Sequence, residues 1–441
     1  MNPARITFAS LALAAIQEPV PDLARDLARA LDAADAAARR SAALAIASRP
    51  GVTLDELLRA IPSAVAIPPE TGEPSRKSGP QVCTTALRLD GTIEESTELH
   101  LYVPASLDAS KPAPLLLAFH GTGGTGAEVE PMWRATAEKL GMLVLAPSEA
   151  GSNEGYGFSE RERLSALASL RWMRRWFDVD ENRIAATGVS RGGHLAWDLA
   201  LRHPDLFAAI APMIGGPRFQ LADGQNNLRY LENVLTLPIR DLQGLQDDPG
   251  LVSNVRMAFD ALAAKKAADA KLIGFPELGH SFEFDAVDWV EFLGRARRNP
   301  VPDRIVRMAA RLDEARSAWV VITKLAPEVQ EDFTPQVGAS EWKALDEDGK
   351  RRFLERAVEK RTARLEVKRT GPGKFAATGE RVAAFRLLLT DAMFDPAKPV
   401  QVTFNGRYVE KKAKRDARVL AVELAERFDR TFLPVAAIDV P

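Results

Sequence analysis

Cysteine is almost absent from this 441-residue chain: Cys83 stands alone, so no disulfide can form within the chain and a cysteine-built metal site is excluded. Cys83 sits in "QVCTTALRL", which alternates like a strand and reads as a buried, inert thiol. Histidine is also scarce. His100, His120, His194, His203 and His280 complete the set, and no two have the i, i+4 spacing of a zinc-binding HExxH helix. An excess of one charge is missing too. With 58 Lys and Arg against 60 Asp and Glu, the formal net charge is −2, and no basic stripe interleaved with aromatics appears. Nucleic acid and anionic membrane surfaces are thereby read out as partners. No apolar run reaches the ~20 residues of a membrane span. The remainder, 46% hydrophobic and 27% charged, has ordinary globular composition and length for two or three domains.

The N-terminus has two readings. "MNPAR" is thinly basic, "ITFASLALAAI" is apolar, and small residues precede "QEPVP", so residues 1–19 read as a short signal peptide. They read equally as the first helix of a cytoplasmic chain, which leaves export to the periplasm or beyond and cytoplasmic residence evenly open. Residues 20–80 form a helical segment and linker: Leu23, Leu27 and Leu31 recur at helical spacing, then "PPETGEPSRKSGP" concentrates Pro, Gly and charge. From 81 to 300 the pattern becomes strand–helix alternation. "QVCTTALRL" and "TELHLYVP" read as antiparallel strands. "APLLLAFHG", "MLVLAP", "RIAATGVS", "FAAIAPMIG", "LPIRDLQG" and "AKLIGFPEL" follow as strands separated by helices. Such alternation predicts parallel crossovers and a doubly wound α/β sheet. Residues 305–441 read as a separate small domain, mostly β, in which Asn405-Gly406 marks a hairpin with a type I′ turn.

The chemistry concentrates in "IAATGVSRGGHLAWD". Ser190 stands between Gly188 and Gly192, with a strand running up to it and a helix-forming stretch leaving it. A nucleophile elbow requires that context. A serine hydroxyl is a weak nucleophile and needs a histidine base held in its tautomer by a carboxylate. In an open parallel sheet those partners come from loops at the carboxyl ends of later strands. Asp247 follows "LPIRDLQG", 57 residues after Ser190, and His280 follows "AKLIGFPEL", 33 residues later again. The neighbouring Asp248 leaves the acid's position open by one residue. His194 lies a turn into the helix, His203 at a helix end and His100 inside a strand, so all three fit the base role poorly. The "HGTGGTG" loop opening at His120 is placed to supply an oxyanion donor from Thr122 or its neighbour, and the amide of Arg191 a second. It lacks the Lys-Ser/Thr ending of a phosphate loop and the GxGxxG spacing of a dinucleotide site. Trp133, Tyr156 and Phe158 lie on or near loops that could line a pocket, with the core as the alternative fate of each. The long "EAGSNEGYGFSERERL" segment is a candidate substrate loop.

The stretch "DVDENRIAATGVSRGGHLAWDLALRHPDLFAAIAPMIGG", with "HGTGG", Gly244 to Asp247 and Gly279-His280, resembles α/β-hydrolase serine esterases of the polyhydroxybutyrate-depolymerase and feruloyl/acetyl-esterase type. Prolyl-oligopeptidase-like hydrolases share the G-x-S-x-G-G form. The resemblance covers roughly residues 85–300. It implies Ser190 as nucleophile, Asp247 as orienting acid and His280 as base, acting on a small-molecule or carbohydrate- or polymer-linked ester with neither a metal nor an organic cofactor. "RDLQG" departs from the apolar strand ending in His-Gly that is common in this family. Two other readings stand beside the esterase: a prolyl-oligopeptidase-like serine peptidase, and a hydrolase-like binding or scaffold protein. The 80 residues upstream are too few for a propeller, whose blades take ~40 residues each.

Overall fold

The computed structural model describes residues 22–33, 35–64, 74–89, 94–148, 155–219, 226–334 and 336–441. The signal-peptide reading of 1–19 lies outside them, as do part of the "PPETGEPSRKSGP" linker and the start of the "EAGSNEGYGFSERERL" segment. Among the described residues no helix is long and apolar enough to cross a membrane.

Eight strands make one sheet: β1 (Gly79–Arg88), β2 (Glu94–Val103), β3 (Ala113–Phe119), β4 (Leu143–Ser148), β5 (Val179–Val189), β6 (Ala209–Met213), β7 (Ile239–Gly244) and β8 (Ala270–Phe275). Their spatial order is β1-β2-β4-β3-β5-β6-β7-β8. The first two strands form an antiparallel hairpin, β2 meets β4 antiparallel, and every pairing from β4 to β8 is parallel. This is the mostly parallel, doubly wound α/β sheet that the strand–helix alternation predicts. Every residue of β3 is buried, as a strand covered by helices on both faces must be, and its continuous apolar run follows from that. The edge strand β1 instead alternates and leaves Val82 exposed. In the parallel set the carboxyl ends of β3, β5, β7 and β8 point the same way, and their loops meet there.

From Arg304 onward two smaller sheets enclose a second core that includes Leu365, Trp319, Phe375 and Phe385. Their strands are β9 (Arg304–Ala309), β10 (Arg316–Ser317), β11 (Val320–Leu325), β12 (Ala363–Gly371), β13 (Lys374–Glu380), β14 (Val382–Leu389), β15 (Val400–Phe404), β16 (Arg407–Lys411) and β17 (Ala436–Val440). One sheet runs β10-β11-β14-β17 and the other β16-β15-β13-β12-β9. Asn405 and Gly406 turn the β15–β16 hairpin with φ of 46° and 80°, the positive pair that a type I′ turn demands. The helices Leu23–Leu31, Ala36–Ala47 and Leu54–Ala60 precede β1, as the helical reading of residues 20–80 predicts. Leu27, Leu31 and Leu57 share a core with Leu420, Leu424 and Phe428, which lie on or just past the helix Ala417–Arg427. The two ends of the described chain are thus packed together.

Candidate active site

The helix Arg191–Arg202 begins two residues after β5 ends, so Ser190 alone turns the chain. Its φ of 54° and ψ of −111° lie in a region that a side-chain-bearing residue occupies only when its surroundings force it. Two hydrogen bonds hold the turn: the Ser190 amide donates to Met213 O (2.8 Å), and the His194 amide donates to Ser190 O (3.0 Å). The flanking glycines follow from packing. A Cβ on Gly188 would overlap the backbone of Gly192, and one on Gly192 would overlap the Phe119 carbonyl at the end of β3. The pattern G-x-S-x-G is therefore what lets helix, β5 and β3 approach so closely.

Asp247 and His280 arrive on loops that are stitched together. The Gln246 amide donates to Leu278 O and the Leu245 amide to Phe275 O, each at 2.9 Å. Gly244 is so close to Gly279 O that no Cβ fits between them. Across this junction His280 Nδ1 lies 2.7 Å from Asp247 Oδ2, and His280 Nε2 lies 2.8 Å from Ser190 Oγ. The two aspartates separate by local role. Asp248 accepts from the Leu251 amide (2.9 Å) and caps the helix Pro249–Ala264, with Pro249 at its first turn, which leaves Asp247 to face the imidazole. That division had a sequence signal in "DDPG", because Asp before Pro is a helix-start signature. Burial pushes the Asp247 carboxyl upward. Hydrogen bonds from His280, the Asp248 amide and Gln243 outweigh it and hold the group below its usual range.

Gln243 was not singled out from the sequence. Its Nε2 donates to Asp247 Oδ2 (3.1 Å) and Gly244 O (3.0 Å), so the penultimate residue of a buried strand braces the acid from beneath. Two residues earlier, Asp241 is fully buried and receives the Trp197 indole N–H at 2.7 Å. Burial raises its pKa to about 8, with the Trp197 hydrogen bond opposing.

Thr122 and Arg191 both line the cleft at Ser190, and Gly121 packs beside the Ser190 side chain. The Arg191 side chain donates to Gly155 O (2.9 Å) and Glu162 Oε1 (2.8 Å). The cleft holds about 610 Å³ and opens to solvent. Tyr156, Phe158 and His194 form one wall, with Tyr156 and His194 rings stacked within 4° of parallel. His194 Nδ1 lies 2.6 Å from Gly216 O, and burial pushes its pKa down. This histidine supports the wall. Tyr156 donates to the buried Asp198 (2.8 Å), which Arg163 and Arg202 also hold, and Arg202 reaches Glu314 and Glu331 beyond the eight-stranded sheet. Trp133 takes the core alternative rather than the pocket. It is fully buried with edge-on contacts to Phe284 and Trp289.

Residues 155–297 match the Dienelactone hydrolase family. The matched span takes in Ser190, Asp247 and His280 and covers about a third of the chain. Curated relatives include poly(3-hydroxyalkanoate) depolymerase C of Paucimonas lemoignei, 30% identical over 139 residues, which are 29% of this chain and 33% of that one. Another is a probable feruloyl esterase C of Aspergillus flavus, 28% identical over 142 residues, or 30% of this chain and 52% of that one. The chain thus spans about a third to a half of the length of these relatives. Among solved structures, a thermostable esterase superposes with a TM-score of 0.42 at 20% identity, covering 50% of this chain and 63% of that one. The resemblance to depolymerase and feruloyl-esterase proteins, read from the motifs, is borne out by these relatives.

Proposed function

We propose that the chain is a serine hydrolase that cleaves carboxylic esters by acyl transfer through Ser190, His280 and Asp247. The observation that carries the reading is the continuous line from Asp247 Oδ2 through both ring nitrogens of His280 to Ser190 Oγ, with steps of 2.7 and 2.8 Å, at a serine held at positive φ. With Nδ1–H donating to Asp247, Nε2 is left to accept the Ser190 proton as Oγ attacks the ester carbonyl. The depressed carboxyl of Asp247 stays ionised and balances the imidazolium that forms. The amides of Arg191 and Thr122 are the proposed oxyanion donors, the first aided by its place at a helix N-terminus. His280 then returns the proton to the leaving alcohol, and water deacylates the serine through the same base.

The aromatic wall and open mouth of the cleft suit a small-molecule or polymer-linked ester, the substrate type that the names of the relatives carry. The test pairs nitrophenyl esters of short and aromatic acids with aminoacyl-proline anilides. Esters are expected to turn over, the anilides not, and Ser190→Ala is expected to lower kcat by about 10⁴-fold or more. Preferential cleavage of the anilides would favour a peptidase, and no turnover of either would favour the scaffold reading.

A further inference from the structure

A second cavity, of about 370 Å³, lies away from the Ser190 cleft, between the N-terminal helices, the end of β1 and the helix Glu160–Trp176. Four arginines line it: Arg39, Arg88, Arg171 and Arg175. One carboxylate, Asp32, faces them. Arg175 and Asp32 pair at 2.8 Å. Among the described residues Arg39 and Arg171 have no such partner. Arg39 is only 7% exposed; its Nη1 donates to Ala33 O at 3.3 Å, and its Nε is buried with no acceptor. Among the described residues the carboxylate acting on its charge is Asp35, which already caps its own helix. Arg171 makes no ion pair or hydrogen bond among the described residues. The charges beside it are Arg39 and Arg174, and Arg174 is committed to Glu181 at 2.9 Å.

A guanidinium withdrawn from water requires a counter-charge or acceptors for its N–H groups. Arg39 is so placed, and Arg171, which is partly exposed, lines the same cavity with no ion pair or hydrogen bond among the described residues. The rest of the lining is apolar and includes Leu31, Trp172 and Phe428. From this arrangement we infer that the cavity is a binding site for a small organic oxyanion, its carboxylate or phosphate held by Arg39 and Arg171 and its apolar body seated against Trp172 and Phe428. Arginine suits this task because its planar fork of donors matches two oxygens at once. The volume falls in the range of small-molecule sites and exceeds what a bare phosphate fills. Because Phe428 follows the helix Ala417–Arg427 and Arg39 lies on the helix Ala36–Ala47, the ligand would tie the chain's two ends to the sheet.

The test is calorimetric titration and thermal melting of the full chain with phenyl phosphate, benzoate and inorganic phosphate at matched ionic strength. Phenyl phosphate or benzoate is expected to bind saturably and to raise Tm, at least tenfold tighter than inorganic phosphate. Arg171→Met and Arg39→Gln are each expected to weaken that binding at least tenfold, while Arg218→Met, in the Ser190 cleft, leaves it unchanged. Without ligand, Arg171→Met is expected to melt at or above the wild-type temperature, since it removes an uncompensated charge. Equal affinity for inorganic phosphate would reduce the site to an adventitious ion only. Binding that survives both cavity variants, or that Arg218→Met abolishes, would place the anion elsewhere and overturn the inference. So would no binding at all combined with a lowered Tm in Arg171→Met, since that residue would then already be satisfied by the chain itself.

Discussion

Asp241→Asn offers a test of the floor on which the site is built. Asp241 is wholly buried on β7, its one partner among the described residues is the Trp197 indole, and its Oδ1 has none. The ordinary carboxyl pKa of 3.8 is lifted here to about 8, burial being the dominant cause. Between those two values the native protein holds a proton that the unfolded chain has released. Stability therefore falls as pH rises through that window, and the loss is complete above pH 8. At 1.36 kcal/mol per unit, a shift of about four units sets a ceiling of about 5 kcal/mol. Asparagine keeps an oxygen for the Trp197 N–H, has the same shape and does not titrate. Urea unfolding from pH 5 to pH 9 is expected to show the variant close to wild type at the acid end. At the alkaline end it should be more stable, by about 3 kcal/mol or more. Parallel curves across the range, or a variant less stable than wild type at pH 9, would refute the assignment of a neutral Asp241.

Three further outcomes follow from the geometry. Ser190→Gly relieves a positive φ at a residue with a Cβ, so it should raise stability by about 1 kcal/mol while abolishing ester turnover, as read by thermal melting and a nitrophenyl assay. A mutant of unchanged or lower Tm would show that the elbow is not strained. Gly192→Ala drives a methyl into the Phe119 carbonyl, and it should cost about 2–4 kcal/mol and lower kcat by at least about 100-fold; wild-type kinetics would sink the packing argument. Arg229 donates to Thr362 Oγ1, Glu331 O, Gln330 O and Arg361 O within 2.7–2.9 Å, bridging the segment between β6 and β7 to the C-terminal part of the chain. Arg229→Met should destabilise by about 3 kcal/mol in denaturant, and an unmoved midpoint would mean these bonds contribute nothing net.

Much of the site was legible because its requirements are local. The elbow needs small residues at fixed offsets from Ser190, and a parallel sheet delivers Asp247 and His280 from strand ends whose apolar runs are easily seen. What was not legible depends on contacts distant in sequence. Gln243 reads as a blemish in "RDLQG" until the Asp247 carboxylate is seen above it. Trp133 and Tyr156 look alike as loop aromatics, yet one fills a core between helices and the other walls the cleft. In the C-terminal sheets, β13 ("KFAATGE") has few β-branched or large apolar residues, and its place is set by pairing with β12 and β15. The packing of the first helices against the helix Ala417–Arg427 joins segments nearly four hundred residues apart, and no periodicity announces it.

The central claim is that Ser190 is an activated nucleophile, and active-site titration with a fluorophosphonate tests it most directly. The account predicts stoichiometric labelling, with the adduct mapped by mass spectrometry to the Ser190 peptide. It predicts no labelling of Ser190→Ala and labelling slowed by orders of magnitude in His280→Ala. A wild-type protein that takes up no label, or an adduct on any other residue, would contradict it.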